Sequence, residues 1–228
     1  MSGTMFACGP AMRSIVVAIS MLASNARADA TAPADELVRV SAAPAYSRLS
    51  RTIAKTPIGG EPEEGDDRMN GHGLGGQIEL AGVVWQRGAW SLGPLLRVGR
   101  QRLQVDYDPT FSEPDRGRLT LTYVHLAPEL TLRFDRYFIR VDLGLARVRT
   151  TRELPFFNLQ SDNPTTFSFA AAIEVGISHP LGRHALGQLG LGAWATLARN
   201  DESGDTLDYE DRARLLAIGV NWSAMLTR

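Results

Sequence analysis

The stretch LAIGVNWSAMLT, residues 216–227, decides the fold. From Leu216 every second residue is apolar: Leu216, Ile218, Val220, Trp222, Ala224 and Leu226. Between them stand Ala217, Gly219, Asn221, Ser223, Met225 and Thr227, which are small, polar or thin. Successive side chains of a strand point to opposite faces, so the stretch has one oily face and one face suited to a polar interior. Its span of about eleven residues is the length of a tilted strand that crosses a bilayer.

The same pattern recurs upstream. Ile78, Leu80, Gly82 and Val84 alternate with Gln77 and Glu79 in a strand read from Leu74 to Gln86. A turn at Arg87-Gly88-Ala89 leads to Trp90, Leu92, Pro94, Leu96 and Val98. Both oily faces fall on even numbers, which asks for a connection with an odd residue count. Thr122, Val124, Leu126, Pro128, Leu130 and Leu132 follow, then an Asp135-Arg136 turn and Tyr137, Ile139, Val141, Leu143 and Leu145. A two-residue turn there pairs Phe134 with Tyr137, Leu132 with Ile139 and Leu130 with Val141, and the oily faces coincide. Phe167 to Ile177 at odd positions and Leu189 to Leu197 at odd positions give two more stripes, joined at a hairpin loop read as Pro180-Leu181-Gly182. Pro94 and Pro128 lie on oily stripes, where they remove ladder hydrogen bonds or mark bulges.

Repetition of this pattern predicts an all-β, antiparallel up-and-down transmembrane β-barrel. Seven strands read clearly, and an even number requires an eighth, placed within 45–58 ahead of Leu74. Short turns then lie on the periplasmic side. Long polar loops are expected outside, at 61–73, 101–117, 149–165 and 199–211. Trp90, Phe134 and Tyr137 beside the turns, with Phe167 and Phe169 at the other end, suggest two aromatic belts.

The N-terminus reads as a secretory signal over 1–28, with Met12 as an alternative start of translation. Arg13 precedes a short apolar stretch over 14–24, and two A-x-A sites follow, Ala26-Arg27-Ala28 and Ala28-Asp29-Ala30. Residues 29–44 read as a periplasmic lead-in, with a helical turn at Leu37 to Val40. The barrel is expected over 45–228. The one cysteine, Cys8, falls in the signal region, so the exported chain is expected to carry no disulfide. No run of eighteen apolar residues makes a spanning helix. A net charge of −1 leaves no footprint for nucleic acid.

With segments such as WSLGPLLRVG (90–99), HLAPELTLRFDRYFIRVDLGLA (125–146) and RLLAIGVNWSAML (214–226), the chain resembles the small eight-stranded outer-membrane barrels of the OmpA-transmembrane, OmpX and opacity-protein type. The resemblance is one of architecture and strand style. It implies an outer-membrane location, contact with outer-membrane lipid and a monomer. Such barrels usually end on an aromatic residue, whereas this sequence ends Leu226-Thr227-Arg228.

The predicted lumen face carries Glu79, Arg97, His125, Glu129, Arg133, Arg140, Asp142 and Glu174. Glu129 faces Asp142 in the predicted register, with Arg140 diagonal to it and Arg133 further along. An eight-stranded lumen is only wide enough to be filled by side chains, so these residues are expected to form an ion-paired plug. No catalytic residue, metal site or cofactor is expected. No histidine spacing resembles a zinc site, and no G-x-S-x-G is present. The loops are acidic, with Glu61, Glu63, Glu64, Asp66 and Asp67 in the first, Asp106, Asp108, Glu113 and Asp115 in the second, and Asp201 to Asp211 in the last. They are expected to be solvated and to be where an external ligand would bind. The expected function is therefore a non-enzymatic envelope or surface-interaction barrel. Its rivals are a narrow ion or small-solute channel, a lipid-modifying hydrolase using His125 and Glu129, and a soluble periplasmic lipocalin-like barrel.

Overall fold

The computed structural model describes residues 36–57, 67–108, 115–153, 165–203 and 207–227. The signal region, the first part of the lead-in, and Glu61, Glu63, Glu64, Asp66 and Glu113 lie outside these residues.

Eight long strands form the wall: β1 (Glu36–Pro57), β2 (Asp67–Gly82), β4 (Trp90–Asp108), β5 (Asp115–Phe134), β6 (Tyr137–Glu153), β7 (Thr165–Gly182), β8 (Ala185–Ser203) and β9 (Leu207–Thr227). A three-residue strand, β3 (Trp85–Arg87), pairs only with the start of β4. All pairings are antiparallel between chain neighbours, and β1 also pairs with β9. β2 pairs with β4 on its other side. The ring is therefore closed, and no wall strand is left with a free edge. The all-β, up-and-down eight-stranded barrel expected from the pattern is the fold observed.

Register follows the oily stripes. Phe134 pairs with Tyr137, Leu132 with Ile139 and Leu130 with Val141. Ile78 lies opposite Val98. The first hairpin reaches this register differently from the odd-count loop. Its turn is Gly88-Ala89, between Arg87 and Trp90, and a break at Val83-Val84 absorbs the extra residue. Gly88 takes φ +58°, and Asp135 takes φ +56° in the Asp135-Arg136 turn. Aspartate tolerates that conformation better than most residues with a Cβ. The β7–β8 turn is Arg183-His184, immediately after the expected loop, with a register shift between Pro180 and Gly182. Gly182 is not left-handed: among the described glycines only Gly88 has a positive φ. Pro94 and Pro128 face each other across β4 and β5. The β5–β6 ladder skips Ala127 and Pro128, and the β2–β4 ladder stops at Leu95, as the missing proline N–H groups require.

β1 is longer than expected at its short-turn end, and the other wall strands are longer at their loop ends. β1 begins at Glu36, so 36–44 belongs to the wall rather than to a lead-in, and Leu37 to Val40 is strand, not helix. β2 begins at Asp67, so much of the expected 61–73 loop is strand. β4 runs on to Asp108 and β5 starts at Asp115, which leaves little of 101–117 as loop. Asp67, Asp106, Asp108, Asp115, Asp201, Glu202, Asp208, Glu210 and Asp211 are accordingly strand residues. One physical change explains the corrections at the loop ends. Near Arg100 the alternation keeps its period but exchanges its chemistry. Below it on β4, Leu92, Leu96 and Val98 face out while Arg97 faces in. Above it, Arg102, Gln104 and Asp106 face out while Leu103 and Val105 are buried. A polar outer face there looked like a loop.

The barrel thus has two storeys. The storey near the short turns is oily outside and polar inside. The storey near the long connections has an apolar core formed by residues including Leu49, Met69, Leu103, Val105, Leu119, Leu121, Tyr123, Trp194 and Leu215.

Candidate functional site

Each lumen residue is placed by strand parity. Glu79 comes from β2, Arg97 from β4, His125, Glu129 and Arg133 from β5, Arg140 and Asp142 from β6, and Glu174 from β7. All eight are buried. Arg39 of β1 joins them at 3% exposure. Sequence reasoning missed it because 29–44 was read as lead-in, although Val38, Arg39, Val40 and Ser41 already alternate.

Arg39 forks onto Glu129, with Nη1 donating to Oε1 at 2.9 Å and Nη2 to Oε2 at 2.5 Å. Its Nη2 also reaches Glu79 Oε2 at 3.4 Å. Arg97 donates Nε to Glu79 Oε1 at 2.7 Å and Nη2 to Asp142 Oδ2 at 2.9 Å. Arg140 donates Nη1 to Glu174 Oε2 at 3.2 Å and Nη2 to Gln188. Ser41 and Gln77 donate to Glu79, and Asn221 donates to Glu174 at 3.0 Å. Glu129 and Asp142 do lie opposite each other in register. Different arginines hold them: Arg39 takes Glu129, and Arg97 takes Asp142. Arg140 lies only within 4.0 Å of Glu129. Arg133 points elsewhere, its Nη2 lying 2.9 Å from Met225 Sδ.

Among the described residues, the buried arginines and carboxylates balance at four and four: Arg39, Arg97, Arg133 and Arg140 against Glu79, Glu129, Asp142 and Glu174. Buried charge is costly unless paired and hydrogen-bonded, and bidentate arginine forks supply that pairing. A cavity of about 30 Å³ within the network is lined by Glu79, Arg97, Glu129, Arg140, Asp142, Glu174 and Asn221 among others, and another of about 10 Å³ lies by Arg39, Glu129 and Thr131. A water molecule needs roughly 10–15 Å³ on this measure, so the space suits isolated waters rather than a water column. Glu174 Oε1 and Asn221 Oδ1 have no protein partner and can use such water.

Glycines make room for the large lumen groups. A Cβ on Gly99 would run into the Tyr123 ring, and one on Gly190 would strike the Glu174 carboxylate. Tyr123 in turn stacks on Trp194 with centroids 4.2 Å apart. Its hydroxyl donates to Gln77 Oε1 at 2.8 Å, which ties the apolar storey to the charged one.

His125 is wholly buried. Arg97 Nη1 lies 3.1 Å from its Nδ1. A guanidinium can only donate, so Nδ1 accepts and the proton sits on Nε2. Among the described residues no hydroxyl hydrogen-bonds this ring, which is not the arrangement of an activated serine. No group of three or more His, Cys, Asp or Glu among the described residues is placed to hold a metal. No described helix is long and apolar enough to cross a membrane, which leaves crossing by strands untouched.

No family model matches the chain, and no curated protein matches it in sequence. In architecture it resembles small outer-membrane β-barrels. The similar solved structures include the outer membrane protein OprG from Pseudomonas aeruginosa, 11% identical over 84% of this chain and 98% of that one, with a TM-score of 0.48. They also include the outer membrane protein AlkL in DMPC lipid bilayers, at 12%, 88%, 95% and 0.47. A third is the outer membrane protease OmpT from Escherichia coli, at 8%, 88%, 99% and 0.43.

Proposed function

We propose that the chain is a non-enzymatic, monomeric outer-membrane β-barrel with a plugged lumen, exported by a signal over 1–28. Its role would be in envelope structure or in surface interaction through its outer, acidic end.

The exterior supports the membrane reading. Leu74, Ile78, Leu96, Val98, Leu126, Leu143, Leu145, Phe169, Leu191, Val220 and Trp222 are all exposed. Such surface is large for a soluble monomer and normal for a lipid-facing wall. On β9 the stripe from Leu216 to Leu226 rises roughly 33 Å along the strand, or about 25 Å once tilted, the height of an outer-membrane apolar band. A soluble lipocalin-like barrel would show the opposite arrangement, with an oily ligand cavity and a polar outside.

The observation that carries the plug is the double closure of the interior. Arginine–carboxylate pairs fill one storey, and the Tyr123–Trp194 stack and its neighbours fill the next. The test is single-channel recording in planar bilayers. No discrete conductance steps are expected from the wild-type barrel or from Arg97→Gln. Reproducible steps whose size changes in Arg97→Gln would replace the plug with a narrow channel.

A further inference from the structure

The outer surface carries an arginine collar where the oil ends. On β1, β4, β6 and β9, the first exposed residue past the apolar stripe is Arg48, Arg100, Arg147 and Arg214. Arg102 and Arg149 are the next exposed residues on β4 and β6. None of these six forms an ion pair with a described carboxylate, and Asp106 further out is already taken by Arg116 at 3.2 Å. Beside Arg102 and Arg100 on the neighbouring strand β5 stand Thr120 and Thr122, and Asp106, in register with Asn70 of β2, is two outward-facing positions beyond Arg102. The opposite edge also carries exposed arginines, but Arg87, Arg136 and Arg183 stand singly at separate turns, Arg136 beside Asp135.

The densest part lies on β4 to β6. Arg100, Thr122 and Arg149 are in register across three strands. Arg102 and Arg147 extend that row along their own strands. They do so in opposite directions, Arg102 level with Thr151 and Arg147 level with Val98. With neighbouring strands about 4.8 Å apart and same-face residues about 7 Å apart, the four arginines span a patch of roughly 10 by 14 Å. Guanidinium groups pair with phosphate in a bidentate way, and basic residues at a membrane surface attract anionic headgroups.

We propose that this collar binds a multiply phosphorylated lipid headgroup of the outer leaflet. The inference rests on the membrane reading above, with the long connections facing outward. Four closely spaced cations with no described carboxylate as partner are explained by an anionic partner at the same depth, and the acyl chains of a lipid would lie on the oily stripes directly beneath.

The test uses the barrel refolded in zwitterionic detergent, titrated with diphosphorylated lipid A and followed by native mass spectrometry. The collar variant combines R100Q, R102Q, R147Q and R149Q. The control combines R87Q and R183Q at the opposite rim. Adducts on wild type and control are expected, with affinity about tenfold or more weaker in the collar variant. Dephosphorylated lipid A should bind wild type as weakly as the collar variant binds the intact lipid. Equal binding by wild type and collar variant would overturn the proposal, as would equal binding of the dephosphorylated lipid. Displacement by millimolar inorganic phosphate would make this a site for free anions instead. Heat-dependent gel mobility reports folding of each variant. If the fourfold variant does not fold, the pairs R100Q/R102Q and R147Q/R149Q are tested separately, each expected to weaken binding. A wild-type chain that folds without detergent would defeat the membrane reading itself, whereas a detergent-folded barrel indifferent to phosphate defeats only the collar proposal.

Discussion

Arg97 is the most exacting residue of the lumen, because one guanidinium serves two carboxylates from two other strands. Removing one member of a buried ion pair leaves uncompensated charge behind. Arg97→Met is expected to cost about 3–5 kcal/mol in guanidinium unfolding of the vesicle-inserted barrel. Adding Asp142→Asn should recover a large part of that loss, since the network then holds three buried cations against three buried anions. Recovery of nothing would mean that Arg97 acts through packing alone. Gly99 answers to Tyr123 in the same local way. Gly99→Ala should destabilise by roughly 1–3 kcal/mol through overpacking, and Tyr123→Ala in the same chain should relieve much of it. The partners of these residues were only partly legible. Parity revealed that Glu79, Arg97, Glu129, Asp142 and Glu174 share the inside. Which arginine takes which acid depends on reach across the lumen, and period-two reading along one strand carries no such information. Arg39 and Arg133 show the two errors that follow: an unseen partner for Glu129, and an expected neighbour that turned away.

At the scale of the strand, legibility tracked the contrast between faces. β5, β6 and β9 could be read in register because large apolar residues alternate with polar ones. β1 and the start of β2 could not, because there the inward residues include Ala43, Ala45, Ser47, Gly71 and Gly73, and the outward ones include Ser50 and Asn70. The same strands cross from an oily to a polar exterior, so a single rule of oily outside fails midway along each. This crossing makes a prediction along one exterior face. Val220→Arg, near the middle of the oily stripe, should cost roughly 2–4 kcal/mol. Gln104→Arg, on the exterior beyond the collar, should cost about 0–1 kcal/mol. Reversible unfolding in vesicles measures both, and equal costs would remove the boundary drawn at the collar.

For the whole molecule, closure of the ring satisfies every wall strand on both sides, and that is the condition for a sheet to lie in hydrocarbon. The molecule then needs two different interiors. In the storey near the short turns the outside is apolar and the inside holds charge, four buried arginines balanced by four buried carboxylates. In the outer storey the outside meets water, so the inside supplies an apolar core like that of a soluble barrel. The central claim is that the oily stripes face lipid rather than a hidden interior. Far-UV circular dichroism of residues 29–228, in plain buffer and in detergent micelles, tests it most directly. The account predicts a strand spectrum with a cooperative thermal transition only when detergent is present. A cooperative strand fold in plain buffer, unchanged by detergent, would contradict it, because those stripes would then already be buried.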